Sequence, residues 1–123
     1  MDWVQREADA ARLRLGVEGF PTEADLLRLT EAIGVRLRHA DVTCPYCFLT
    51  DRGATITLPL SWRGEENDEL LCHELAHAIF PQGSGKLLRF LYPGNPRMER
   101  LARIHDAKDE AVAEAFVRAW FRR

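Results

Sequence analysis

The stretch "LLCHELAHAIF", residues 70–80, sets two histidines four apart inside an otherwise apolar run. Residues four apart on an α-helix lie one above the other, so His73 and His77 present their imidazoles to a common point. Glu74 is turned from His73 by about 100° and can reach a water held at that point without itself being a ligand. The apolar letters around the three polar ones seat the helix on a core. HExxH on a helix is the pattern of a two-histidine metal clamp with an adjacent base. Two neutral imidazoles and one carboxylate make a tetrahedral zinc site whose fourth position is left to water. The ion would lower the pKa of that water toward about 7 and polarise a carbonyl, while Glu74 takes the proton and later gives it to a leaving amine. One catalytic Zn2+ and peptide-bond hydrolysis are therefore expected.

A third protein ligand must come from elsewhere. After Pro81 the only histidine is His105, so carboxylates are the richer source. In "HDAKDEAVAEAFVRAWFRR", residues 105–123, Glu110 and Glu114 stand four apart with Ala113, Val117 and Trp120 on nearly the same face. Asp109 has an equal claim through Val112, Ala113, Phe116 and Trp120. Helical phase leaves both Glu110 and Asp109 open.

The elements around this helix follow from local patterns. Residues 2–15 carry Trp3, Val4, Ala8, Ala11, Leu13 and Leu15 at helical spacing, and Gly16 can close that helix. In "PTEADLLRLTEAIG", residues 21–34, Thr22 and Asp25 have capping-box spacing, Leu26, Leu29 and Ile33 form the apolar stripe, and Gly34 suits the exit. "VRLRHA", residues 35–40, alternates as a half-buried strand does. "CFLT" and "ATITLPL" flank "DRG", which predicts a hairpin over residues 46–60. The HELAH helix is expected from about residue 66 to Phe80, with acidic residues at its start and Pro81 and Gly83 as its stop. "PQGSGKLLRFLYPGNP" reads as a loop with one short helical turn. Asn95 and Pro96 read as an N-cap and first-turn proline of a final helix, either continuous or broken near His105 and Asp106.

Bulk properties bound the rest. The chain has 123 residues, 46% of them hydrophobic and 29% charged, with a net charge of -2, which fits one globular domain over residues 1–123. That balance gives no reason to expect direct nucleic-acid binding. No window approaches the roughly 18 charge-poor apolar residues of a membrane span. The start, "MDWVQREADAARLRLG", lacks the basic and apolar regions of a signal peptide, so a cytoplasmic location without membrane contact is expected. Three cysteines without an export signal read as thiols rather than a disulfide framework. Cys44 and Cys47 in "CPYC" have redox-pair spacing but precede a hairpin instead of linking a strand to a helix, and Cys72 reads as a buried thiol. Tyr92 and His105 are the candidates to donate a hydrogen bond to a tetrahedral oxyanion. "ATITLP", residues 54–59, is either a core strand or a sheet edge to which an extended peptide could add.

Taken together, "ATITLP", "ELLCHELAHAIF" and "DEAVAEAF" resemble the ImmA/IrrE family of zincin metallopeptidases, over about residues 30–121. The resemblance implies an α+β zincin-like domain, with a small, mostly antiparallel three-stranded sheet packed by helices and HExxH on the active-site helix. It implies that His73, His77 and Glu110 bind zinc, in preference to Asp109, and that Glu74 is the general base. Glu114 stands where the family usually has Asn or Asp, Val117 where it usually has Ala, and Ala76 replaces the usual Gly before the second histidine. Glu114 could accept a hydrogen bond from a zinc-binding histidine and fix its tautomer. The resemblance also implies a protein or peptide substrate, with a helix-turn-helix repressor as the family's typical target. The alternative is a non-proteolytic module that keeps the zincin scaffold and acts through a partner protein.

Overall fold

The computed structural model describes residues 2–50, 53–63, 68–80 and 84–122. Among these residues the chain forms a small α+β arrangement of five helices and a three-stranded mixed sheet. In order, they are α1 (Asp2–Leu15), α2 (Glu23–Ala32), β1 (Arg36–Ala40), β2 (Tyr46–Thr50), β3 (Gly53–Pro59), α3 (Asp68–Ile79), α4 (Ser84–Leu91) and α5 (Pro96–Phe121). The expected helix start near residue 66, the Gly64 break, the Pro81–Gly83 stop and most of the "DRG" turn lie outside the described residues. No described helix is long and apolar enough to cross a membrane.

Helix α2 forms where its capping signals place it. Thr22 accepts from the Asp25 backbone N–H at 3.4 Å, and the Asp25 carboxylate accepts from the Thr22 N–H at 2.8 Å. These reciprocal bonds satisfy helix-end donors that would otherwise have none. Gly34 leaves the helix with φ +74, a conformation that side-chain-bearing residues rarely adopt. Helix α1 buries a narrower stripe than its spacing predicts: Val4, Ala8 and Arg12 are inside, whereas Leu13 is 84% exposed. Arg12 is buried because its guanidinium has two carbonyl acceptors, Trp120 O and Gly19 O, both at 2.7 Å. That places a cation at the C-terminal end of α5, where the helix dipole is negative.

The sheet order is β1-β3-β2, with β3 antiparallel to β2 and parallel to β1. The hairpin is as expected, but the sheet is mixed rather than mostly antiparallel, because β1 joins the far side of β3 instead of pairing with its sequence neighbour β2. This also settles the place of "ATITLP". It is β3, bonded on both sides, and so has no edge to offer a peptide; the edge beside α3 belongs to β2.

Two further elements differ from expectation. "SGKLLRFL" is an eight-residue helix, α4, rather than a loop with a single turn. Its closeness to α5 depends on Gly85, where a Cβ would collide with the Asp106 carboxylate and stand 2.9 Å from the Ala102 carbonyl oxygen. Arg89 then bridges the two helices, with Nε and Nη2 donating to the Glu99 carboxylate at 2.9 and 3.1 Å and Nη1 to Asp106 at 2.8 Å. Helix α5 runs unbroken through His105 and Asp106 for 26 residues. Asn95 caps it by accepting from the Arg97 and Met98 N–H groups, with Pro96 behind it.

The C-terminal half of α5 is the spine of the core. Val112, Ala113, Phe116 and Trp120 are buried against α1 and α3, together with Leu71, Leu75 and Ala76 of α3 and Ile56 and Leu58 of β3. Burying side chains of this size stabilises by roughly 1.5–3 kcal/mol each before entropy is counted. Consequently α3 and α5 are held side by side, which fixes what faces the groove between them. Trp120 is fully buried and Trp62 half-buried, while Trp3, 43% exposed, meets the Phe80 ring edge-on at 5.3 Å.

Candidate metal centre

Helix α3 buries Leu71, Cys72, Leu75 and Ala76, and this choice of inward face turns His73, Glu74 and His77 toward its half-exposed side. Helix α5 likewise buries Val112, Ala113 and Phe116, leaving Glu110 at the rim opposite the histidines. The two polar sets meet. His73 Nε2 lies 3.0 Å from Glu110 Oε2, His77 Nε2 lies 3.1 Å from Glu110 Oε1, and the two Nε2 atoms are 3.2 Å apart.

These distances fit a metal ion. Ligand bonds of about 2.0–2.1 Å in a tetrahedron separate the donor atoms by about 3.3–3.4 Å, close to the spacings found. The donor set suits one as well: an imidazole that carries its proton on Nδ1 turns an Nε2 lone pair to the point that the Glu110 oxygens face, whereas an Nε2–H would donate to those oxygens instead. Among the described residues, His73, His77 and Glu110 are the one group of three such side chains that converges, with ligand atoms all within 4.8 Å. Asp109, the competing candidate, is half-buried and not part of that group. The difference is one of phase, because a single residue's step turns the side chain by about 100°.

Glu74 stands next to this centre, half-buried, with the Cys47 backbone N–H donating to its carboxylate. Burial raises its pKa above the usual carboxylate range; His77 and His73 oppose that shift, Glu110 adds to it, and the Cys47 hydrogen bond opposes it. The Cys47 contact is what sequence reasoning missed. A main-chain donor carries no side-chain signature, and only the placement of β2 beside α3 brings it there. The hairpin register agrees: Thr50 pairs with Gly53, and alternation from that closing pair puts the Cys47 N–H on the outer edge of β2.

A cleft of about 570 Å3 opens beside His73 and Glu74. Its walls are Thr43 and Cys44 from the β1–β2 connection, Glu69 from α3, and Glu114 and Arg118 from α5. Thr43 and Arg118 were not singled out by sequence, since neither sits in a chemical motif. Glu114 is exposed on this wall, and no hydrogen bond or ion pair joins it to either histidine, so the expected tautomer-fixing contact is not formed. The two oxyanion candidates are also elsewhere. Tyr92 is 49% exposed just past the end of α4, and His105 is half-buried five residues before Glu110; neither lines the cleft.

The cysteines differ sharply in environment. Cys44 is exposed at the cleft, Cys47 is half-buried with its thiol pushed up to about 11 by burial and the nearby Glu74 carboxylate, and Cys72 is buried with its thiol raised further. Thiolate is the reactive form. Iodoacetamide at neutral pH should therefore label Cys44 first, Cys47 slowly, and Cys72 only on unfolding, as read by mass spectrometry. A Cys44–Cys47 disulfide in protein handled in air would instead support the redox reading of "CPYC". No protein-family model, curated protein or solved structure matches this chain.

Proposed function

We propose that this protein is a zinc-dependent metallopeptidase of the ImmA/IrrE kind, acting in the cytoplasm on a protein substrate. The observation that carries the reading is the meeting of His73, His77 and Glu110 at 3.0–3.2 Å with Glu74 alongside. A zinc ion held by those three side chains would supply Lewis acidity toward a water and a peptide carbonyl. Glu74, fixed by the Cys47 N–H, takes the proton of the attacking water and delivers it to the departing amine nitrogen. Glu69, Glu114 and Arg118 put charges of both signs along the cleft, where they can orient a chain.

The substrate would lie extended along the outer edge of β2, with main-chain groups bonding to that edge as an added strand. β2 is the edge that borders α3, so a peptide there passes over Glu74. A helix-turn-helix repressor is the substrate that the family resemblance favours, and in this scheme its cut site is an extended segment rather than a folded helix. The test is cleavage of unfolded casein and of purified helix-turn-helix repressors, followed by gel and mass spectrometry. Cleavage should stop with 1,10-phenanthroline and return when Zn2+ is restored. Cleavage that continues in the chelator would overturn the assignment.

A further inference from the structure

Strand alternation sorts the sheet's side chains onto two faces, and the registers fix which residues share a row. Arg36 pairs with Thr55 and Thr55 with Phe48; two residues along, Arg38 pairs with Thr57 and Thr57 with Tyr46. All six have the opposite parity to Leu37, Cys47, Ile56 and Leu58, which pack into the core on the side of α3. They therefore occupy the face turned away from the metal centre. Arg36 and Arg38 are exposed, Tyr46 and Phe48 are 44% and 59% exposed, and Thr57 between Arg38 and Tyr46 is buried. Among the described residues no carboxylate pairs with either arginine.

We infer that this face binds single-stranded nucleic acid, with Tyr46 and Phe48 stacking on successive bases and Arg36 and Arg38, across β3, paired to phosphates. The argument is one of charge and shape. Two rings about 7 Å apart along one strand offer flat apolar platforms, and two guanidinium groups that no described carboxylate pairs, on the next-but-one strand, offer a parallel line of positive charge. A ligand that matches both is flat and apolar at its bases and anionic along its backbone. A duplex keeps its base faces stacked and cannot use the rings. An acidic peptide would use the arginines and leave the rings in water. The chain's net charge of -2 gives no hint of this face, because the count averages over all residues while the sheet gathers two cations and no acid onto two rows.

Fluorescence anisotropy with labelled oligo(dT), oligo(rU) and a duplex of the same length, each of about a dozen nucleotides, reads the inference on the full-length protein. Both single strands should bind more tightly than the duplex, and the ratio of oligo(dT) to oligo(rU) affinity tells DNA from RNA. Two phosphate contacts give a salt slope of about -1.4, a sevenfold loss between about 50 and 200 mM salt. Arg38→Ala should halve that slope to about -0.7, leaving a loss of about 2.6-fold. Tyr46→Ala and Phe48→Ala should each weaken binding at least about fivefold with the slope unchanged. Circular dichroism and zinc content should match wild type in all three variants, since these side chains are exposed. Equal binding of duplex and single strands, competition by poly-glutamate as strong as by oligonucleotide, or wild-type affinity in both aromatic variants would overturn it, as would no binding at about 50 mM salt. None of these readouts depends on peptide hydrolysis.

Discussion

Glu74→Gln is expected to lower peptide hydrolysis by about a hundred- to ten-thousandfold, the range typical of a lost general base, with zinc content and melting temperature unchanged. The two side chains have the same shape, and the glutamine carbonyl oxygen can still accept from the Cys47 N–H that holds Glu74 in place. What disappears is the capacity to take and return a proton. Glu74 is not among the three converging ligand atoms, so the ion should stay. Elemental analysis, a thermal melt and a cleavage assay on the same preparations separate the outcomes. Persisting hydrolysis would remove Glu74 from the role of base, and a loss of zinc would mean that it acts through binding instead. The non-proteolytic alternative makes the opposite forecast for cellular activity: it should survive Glu74→Gln untouched.

Much of this arrangement was written in local sequence, and the exceptions share a cause. HExxH on a helix needs only the 3.6-residue period to bring His73 and His77 together, so two imidazoles facing one point were legible at once. The α2 capping box and the Asn95–Pro96 start of α5 were legible for the same reason, since every partner lies within four residues. Glu110 against Asp109 was not, because both belong to inward-looking stripes and the choice depends on how α5 is rotated against α3. That rotation is set by Phe116 and Trp120 packing far along the helix. Tertiary pairing likewise decided the sheet: "VRLRHA" announced a strand but not its partner, and its joining β3 in parallel is what made "ATITLP" central. Helix α4 was hidden by its flanking Gly and Pro residues; Arg89 reaching Glu99 and Asp106 on another helix is invisible to any local window. Glu114 shows the limit of spacing most sharply. It is one turn from Glu110 and beside the cleft, yet hydrogen-bonds to neither histidine.

Glu110→Ala should cost zinc affinity by more than about a hundredfold, beyond the 10–100-fold that losing a supporting group typically costs. It removes both carboxylate oxygens that face the imidazoles, at 3.0 and 3.1 Å, and with them the one carboxylate among the three converging side chains. Two imidazoles four apart on a helix would remain, a clamp with two vacancies. Asp109→Ala shifts the loss from metal to fold: this side chain is half-buried, with one carboxylate oxygen out of solvent, so its removal should lower the melting temperature while zinc stoichiometry holds. Glu114→Ala should do neither, changing zinc affinity by less than about tenfold, because the contact that would make it a supporting group is not formed. Competition titration with a chromophoric zinc chelator measures all three against wild type. Zinc retained at full strength by Glu110→Ala, or lost in Asp109→Ala, would reverse the ligand assignment. The pairing also discriminates phase from proximity: both carboxylates sit one step apart on the same helix, so only the rotation of α5 can account for opposite results.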